Sequence, residues 1–378
     1  MTILGIETSC DDTAISLIKI KNSHSPSFAV ISNLISSQTD IHRQWGGIYP
    51  KLARREHQKN LLPLFKQALL EGAFLKKGKE KIKKEIKEIL KKEEILQPVI
   101  YRFLKQYQKP PIDLIALTVG PGLDPSLWVG INFAKALSGQ WQIPIVPVNH
   151  LEAHLIISLF SFKNNLWRFQ TDACFPAMGL IVSGGHTQLV LIKELGQYEI
   201  VGETRDDAAG ECFDKAARIL GLGYPGGPAI AAAAKKVTTS KTITPVTPLP
   251  RPMIKQKNLD FSFSGLKTAL FYRWQKQSIP SQISAEAKEV QQAIIEVLIT
   301  KTARAIEKYQ VKALIVGGGV MANEELRRQL SEKIKVKIFF PQVKESLDNA
   351  LMISITGYLN RKKSVNYDKI QASPNFKM

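Results

Sequence analysis

The sequence predicts an α/β chain of two similar lobes, and two observations carry that reading. Three short apolar stretches followed by helix, strand and helix occur twice, once from Ile3 and again from Met178. The chain has 378 residues, 44% of them hydrophobic, which is more than one core ordinarily fills.

In the first half, residues 3–9 and 13–19 read as strands joined by Ser9-Cys10-Asp11-Asp12, with a third strand over 28–36. His42 to Pro50 is loop, and Pro50 suits the first turn of a helix running to about Gly72. An apolar strand over 114–119 meets the turn Gly120-Pro121-Gly122 and then a helix from about Pro125 to Leu137. Ile143 to Val148 is a buried strand running into a helix that opens at His150. In the second half the strands are 178–183, 186–193 and 198–204. Helices follow from Ala209 and Pro228, then strand 313–316, a helix from Asn323, strand 336–340 and a last helix from Ser346. The expected division is an N-terminal lobe over 1–148, a C-terminal lobe over 149–345 and a tail over 363–378, with the helix at about 346–362 packing back on the first lobe. Two such lobes facing each other across a cleft are the plan of the actin, Hsp70 and hexokinase ATPases. That is a duplicated fold of RNase H-like lobes around a nucleotide, whose phosphates approach the first turn of each meander.

An insertion over about 76–110 interrupts the first lobe. Ile82, Ile86, Ile89 and Leu96 recur there at helical spacing, and Lys76 to Leu96 holds nine lysines against five glutamates. It is either an amphipathic helix docked on its own lobe or an extra surface for RNA or a partner.

Lys and Arg number 52 against 33 Asp and Glu, a net charge of +19 spread over the chain, which favours a polyanionic partner such as nucleic acid. No long apolar run and no leader pattern at Thr2-Ile3-Leu4-Gly5-Ile6 are present, so a cytoplasmic protein off the membrane is expected. Cys10, Cys174 and Cys212 are too few and scattered for a disulfide framework and read as reduced.

The candidate chemistry lies in turns and helix starts. His150 and His154 share one helical face, where both rings can grip one cation, or else cap and pack the helix. Glu152 projects elsewhere. Asp348, in the first turn of the last helix, either offsets the helix dipole or becomes a third ligand once that helix returns to the first lobe. Two imidazoles and one carboxylate would leave coordination positions open, as catalytic sites do. The turn Val182-Ser183-Gly184-Gly185-His186-Thr187 pairs glycines with hydroxyls and fits either a phosphate or a plain hairpin. Asp11 and Asp12 stand at the matching N-terminal turn, where they could hold a cation or orient a nucleophile. Asp206 and Asp207 would favour the positive end of the helix that follows, and Asp214, about one turn in, could reach a ribose. Tyr224-Pro225-Gly226-Gly227-Pro228 permits close approach of a flat base or ribose, and Asn323 either caps its helix or contacts a ligand.

As a set, these residues resemble the TsaD family of tRNA threonylcarbamoyladenosine synthesis, formerly described as O-sialoglycoprotein endopeptidases. The matching stretches include Leu4 to Asp12, Gly46-Gly47 with Arg55-Glu56-His57, Gly120 to Leu123, Asn149 to His154 and Val182 to Thr187. Asp207 to Lys215, Tyr224 to Pro228, Phe263 to Thr268, Gly318 to Asn323 and Asp348 to Ala350 continue in family order. The resemblance implies that His150, His154 and Asp348 bind one metal ion, iron first and zinc as the alternative. It implies that Ile181, Val182, Ser183, Gly184, Gly185, Asp214, Gly227 and Asn323 hold the adenylate of threonylcarbamoyl-AMP. The implied reaction transfers the threonylcarbamoyl group to the N6 amine of the adenosine 3′ of the anticodon, in tRNAs reading codons that begin with A. Asp11 or Asp12 is then the candidate base for the amine proton, and a TsaB-like paralogue and a TsaE-like ATPase are the expected partners.

Three other classes compete. A metalloprotease would place Glu directly after the first histidine, where this chain has Leu151. A sugar or carboxylate kinase on the same plan would use the phosphate turns without the metal set. A noncatalytic paralogue of the TsaB kind lacks the histidine pair, which is present here. Two departures from the family pattern stand close together, Lys51 for a usual acidic residue and Arg54 for a usual serine.

Overall fold

The computed structural model describes the chain apart from residues 23–25, 171–174, 238–245 and 277–278, so Cys174 lies outside the described residues. Cys10 and Cys212 are free thiols. The first meander is β1 (Thr2–Glu7), β2 (Asp12–Asn22) and β3 (Ser27–Ser37), followed by α1 (Thr39–Arg43), α2 (Pro50–Glu71), α3 (Glu85–Ile89) and α4 (Leu96–Gln106). Next come β4 (Leu114–Gly120), α5 (Asp124–Trp141), β5 (Ile145–Asn149), α6 (His150–Ser158), β6 (Phe160–Lys163) and β7 (Leu166–Phe169). The second half holds β8 (Ala177–Val182), β9 (Thr187–Glu194), β10 (Gln197–Glu203), α7 (Ala209–Ile219), α8 (Gly226–Val237), α9 (Ser264–Lys276) and α10 (Ile283–Tyr309). β11 (Ala313–Gly317), α11 (Glu324–Lys333), β12 (Lys337–Phe339) and α12 (Ala350–Leu359) complete it.

The chain divides into two compact units, one of residues 1–42, 48–171 and 348–378, the other of 43–47 and 172–347. In the first, the sheet order is β5-β4-β1-β2-β3-β7-β6, and in the second it is β10-β9-β8-β11-β12. Leaving out the β6–β7 hairpin, these are the same arrangement: an antiparallel three-strand meander whose first strand pairs in parallel with the fourth, and the fourth with the fifth. The duplicated RNase H-like plan read from the order of elements is thus present in both strand order and strand sense.

The first unit runs past the expected boundary at 148 because the chain does not leave after β5. Helix α6 packs on α12, and the β6–β7 hairpin pairs through Trp167 and Arg168 with the edge of β3. Asn164 and Asn165, both at positive φ, make its two-residue turn, a signature of mirror-type hairpin turns that went unread in the sequence.

β1 is buried on both faces. Leu4 and Ile6 join the core with Phe65 of α2 and Phe133 of α5, while Gly5, pointing the other way, lies against α12. A Cβ on Gly5 would stand 2.2 Å from Ser354 Oγ and 2.5 Å from the Ala350 carbonyl, so the helix can lie this close only over glycine. Gly357 makes the matching approach to Ala116 of β4.

The insertion forms two short helices rather than the one expected, and its apolar stripe is docked: Ile86, Leu90, Leu96, Ile100 and Leu104 are fully buried in the first unit's core. The break falls at Glu93, a buried carboxylate that takes Asn132 Nδ2 at 2.9 Å and Arg54 Nη2 at 3.3 Å. Arg54 also donates to the Lys92 carbonyl. The family departure at Arg54 and the insertion are therefore one feature, since the arginine fastens the inserted segment to α2. The tail is fastened as well: Val365 exchanges backbone hydrogen bonds with Ile145, Ser373 N–H donates to the Val119 carbonyl, and Asn149 Nδ2 donates to the Phe376 carbonyl.

Candidate metal centre and nucleotide cradle

The three candidate metal ligands, His150, His154 and Asp348, come together within the first unit. Asn149 caps α6, its Oδ1 accepting from Leu151 N at 2.9 Å and Glu152 N at 3.1 Å, which fixes the first turn that carries His150. One turn on, the His154 ring stands edge-on to the His150 ring, with centroids 4.7 Å apart. Both Nε2 atoms face the same Asp348 oxygen, at 3.4 Å from His150 and 3.1 Å from His154. One donor atom from each of the three residues lies within 4.8 Å of the others.

Asp348 does not stand in the first turn of the last helix, as the sequence suggested. Asn349 caps α12 through Met352 N at 3.0 Å, so Asp348 precedes the cap and is aimed at the histidines instead of serving the helix dipole. Glu152 turns away, accepting from Asn360 Nδ2 at 3.2 Å, which leaves the metalloprotease reading without its base.

The donor set fits a divalent transition ion. A buried histidine with only a structural role is expected to satisfy both nitrogens, yet His154 Nδ1 is buried with no hydrogen-bond partner among the described residues. Burial lowers the pKa of His154 against the pull of Asp348, which favours the neutral form that a ligating imidazole must take. His150 behaves oppositely. Burial works against its charged form, but the Glu7 and Asp348 carboxylates outweigh it and raise its pKa well above the usual value. Burial likewise opposes ionisation of Asp348, and the two imidazoles hold its carboxyl far below the ordinary range all the same. The pocket thus favours positive charge at the point where a cation would sit.

Sequence reasoning passed over Glu7. It is fully enclosed at the end of β1, and its Oε2 takes His150 Nδ1 at 3.0 Å and Thr118 Oγ1 at 2.6 Å, while Oε1 takes Ser9 N at 2.5 Å. The available signal was an acid closing a fully apolar strand, since lone carboxylates are rarely buried without partners.

Asp11 and Asp12 lie in the same unit at the β1–β2 turn. Burial, then repulsion from Asp348, pushes Asp12 up to about 7, against a hydrogen bond from Ser37. Its Oδ1 is buried and has no hydrogen-bond partner among the described residues. Asp11 accepts from Gln38 N through its backbone carbonyl.

The eight adenylate candidates lie in the second unit: Ile181 to Gly185 at the carboxyl end of β8, Asp214 midway along α7, Gly227 in the first turn of α8, and Asn323 between β11 and α11. Ile181 and Val182 are buried in β8, so they shape the turn from behind. Ser183 N donates to the His186 carbonyl at 2.8 Å, and Ser183 Oγ accepts from His186 N at 3.1 Å. A Cβ on Gly184, Gly185 or Gly227 would meet nothing within 4 Å, so these three glycines front open space that a ligand can approach closely. By contrast, Gly210 is wedged against Ser183 and Gly226 against Asp214, each with backbone under 3 Å from a would-be Cβ. Asp214 Oδ1 accepts from Gly226 N at 2.7 Å, and burial raises its pKa despite that bond. Asn323 caps α11 through Leu326 N at 3.0 Å and donates to Gln291 at 2.9 Å, so its side chain is already engaged in structure. Asp206 and Asp207 differ from expectation too. Asp206 accepts from Phe263 N at the start of α9, and Asp207 pairs with Lys215 at 2.7 Å and Lys267 at 3.0 Å, so neither caps α7.

The model of the TsaD family, tRNA N6-adenosine threonylcarbamoyltransferase, matches residues 29–77 and 90–355. Residues 78–89, which it skips, fall inside the lysine-rich insertion. The tRNA N6-adenosine threonylcarbamoyltransferase of Dehalococcoides mccartyi is 42% identical over 358 residues, covering 95% of this chain and 93% of its own length. The enzyme of the same name from Thermosipho africanus is 37% identical over 385 residues, covering both chains fully. Among solved structures, full-length HypF in a phosphate- and nucleotide-bound form aligns with a TM-score of 0.50 at 11% identity, over 96% of this chain and 46% of that one, a likeness of fold alone. No helix among the described residues is long and apolar enough to cross a membrane. With the family model matching most of the chain and relatives of that name 37% and 42% identical over nearly its full length, the chain belongs to the TsaD family of tRNA N6-adenosine threonylcarbamoyltransferases.

Proposed function

We propose that the chain transfers the threonylcarbamoyl group from threonylcarbamoyl-AMP to N6 of the adenosine 3′ of the anticodon, in tRNAs reading codons that begin with A. What supports this is that three side chains able to hold a cation lie together, and that three glycines front open space, in one chain of this family. Iron is the proposed ion, because two histidines and one carboxylate are the ligand set of non-haem Fe(II) sites; zinc is the alternative. Ile181, Val182, Ser183, Gly184, Gly185, Asp214, Gly227 and Asn323 are the proposed adenylate residues, the first two and Asn323 acting as the frame. The net charge of +19 supports a tRNA substrate, which would also keep the protein in the cytoplasm, and a TsaB-like paralogue and a TsaE-like ATPase are the proposed partners.

In the proposed reaction the adenosine amine attacks the carbamoyl carbon. A C–N bond forms, the bond from that carbon to the phosphate oxygen breaks, and AMP leaves with the electron pair. A bound ion would supply Lewis acidity to the carbamoyl oxygen. The backbone N–H groups of Gly184 and Gly185, which front open space, would offset the phosphate charge of AMP. Asp12 would take the proton lost from N6. Its carboxyl, pushed up to about 7, is a base matched to neutral pH, with one buried oxygen uncommitted.

Incubation with threonylcarbamoyl-AMP, unmodified tRNA and the two partners is expected to yield threonylcarbamoyladenosine on nucleoside mass spectrometry. Its absence, under conditions where a related transferase is active, would defeat the reading. The proton role of Asp12 makes a separate expectation. As a base, Asp12 must be ionised, so single-turnover transfer should rise about tenfold per pH unit below about 7 and level off above it. Asp12→Asn should be slow and flat across the same range; a variant that keeps the wild-type slope would take the role from Asp12.

A further inference from the structure

We propose that Glu7 is the positioning residue of the metal centre, selecting the one tautomer of His150 that can bind a cation. The inference rests on His150, His154 and Asp348 being a metal site, and it goes further in asking what presents the ligand atom. His150 lies between two carboxylates, with Nδ1 3.0 Å from Glu7 Oε2 and Nε2 3.4 Å from Asp348 Oδ1. The two acids are not equivalent. Asp348 keeps 23% of its side chain exposed, so its oxygen is open to a ligand, whereas Glu7 is enclosed at 0% and fixed by further bonds.

Those bonds decide the proton's position. Ser9 N–H can only donate, and it holds Glu7 Oε1 at 2.5 Å; the Thr118 hydroxyl donates to Oε2 at 2.6 Å. An ionised carboxylate can only receive, so the proton on Nδ1 is held against Glu7, and the proton a cation displaces is the one on Nε2, the atom facing Asp348. A carboxylate behind a ligating histidine also makes the imidazole a stronger donor. His154 has no such partner, its Nδ1 being buried and unbonded among the described residues. His150 is therefore the pre-oriented ligand, and His154 is held by packing against it.

Glutamine in place of Glu7 would keep the volume and reverse the logic. The amide oxygen must stay with Ser9 N–H, so the amide N–H₂ faces His150 Nδ1. The ring then takes its proton on Nε2, the atom the cation needs.

The test uses the full chain stripped of metal by a chelator and titrated with Co²⁺, whose visible absorption reports both affinity and coordination. Glu7→Gln should weaken Co²⁺ binding by about 10- to 100-fold and alter the absorption bands. Thr118→Val, which removes one bond to Glu7 and leaves the acid in place, should weaken it by less, and it serves as the reading should Glu7→Gln not fold. Wild-type affinity in Glu7→Gln, or in Thr118→Val where the former is unfolded, would overturn the role of Glu7 while leaving the metal centre standing. No Co²⁺ binding by the wild-type chain would remove the metal centre itself, and the inference with it.

Discussion

Replacing His150 and His154 together by alanine will abolish binding of the proposed metal ion and lower threonylcarbamoyl transfer by about a thousandfold or more. Both Nε2 atoms converge on one Asp348 oxygen, so the double change leaves a single carboxylate, which cannot hold a transition ion against water. The fold should survive. Asn149 caps the helix through backbone N–H groups the substitution does not touch, and alanine is the best helix former. Elemental analysis should fall from about one ion per chain to near none, with circular dichroism unchanged. Metal retained at the wild-type level would exclude these residues as ligands.

A valine at position 5 will destabilise the first unit by about 3 kcal/mol or more, lowering its melting temperature by roughly 6–12 °C. The extra carbons have nowhere to go. A Cβ there already overlaps Ser354 Oγ, the Ala350 carbonyl and Ser16 Oγ, and the last two are themselves hydrogen-bonded at 2.8 Å. Helix α12 would have to lift from β1, and with it Asp348, two residues ahead of its first turn. Metal affinity should therefore fall alongside stability, although Gly5 touches no ligand. A melting temperature within about 2 °C of wild type would show that α12 does not depend on this contact.

Much of the fold was legible because its signals are local. Pro50 opens α2, as its fixed φ allows, and the helix ends just before Gly72 as read, although the left-handed residue that follows is Ala73. The histidine spacing on α6 needed only the helical repeat. The misread parts depend on distant partners. Nothing near Asp348 in sequence says that Asn349, rather than Ser346, begins the last helix, or that its carboxylate faces residues 150 and 154. The insertion reads as one helix by periodicity, but it breaks where Glu93 finds Arg54 and Asn132, 39 residues away in either direction. Asp206 and Asp207 looked like helix-start charges, and instead serve Ser264 and Lys267 some 60 residues later. Glu7 was visible as an anomaly, but its partner lies 143 residues on.

The first unit is discontinuous in sequence, and this has a consequence for the order in which the protein matures during synthesis. The second unit, apart from the short 43–47 segment, is one unbroken stretch, so it can fold as soon as it is made. The first cannot. Asp348 follows His154 by 194 residues, and α12, on which α6 and β1 pack, comes later still. At typical elongation rates of 5–20 residues per second, roughly 10–40 s separate the histidines from their carboxylate. Throughout that interval the sheet lacks its closing helix, and its apolar face is open to chaperones or to wrong partners. Three donors for the proposed ion come together only after Asp348 has been made, so the proposed site cannot load while only the histidines are present.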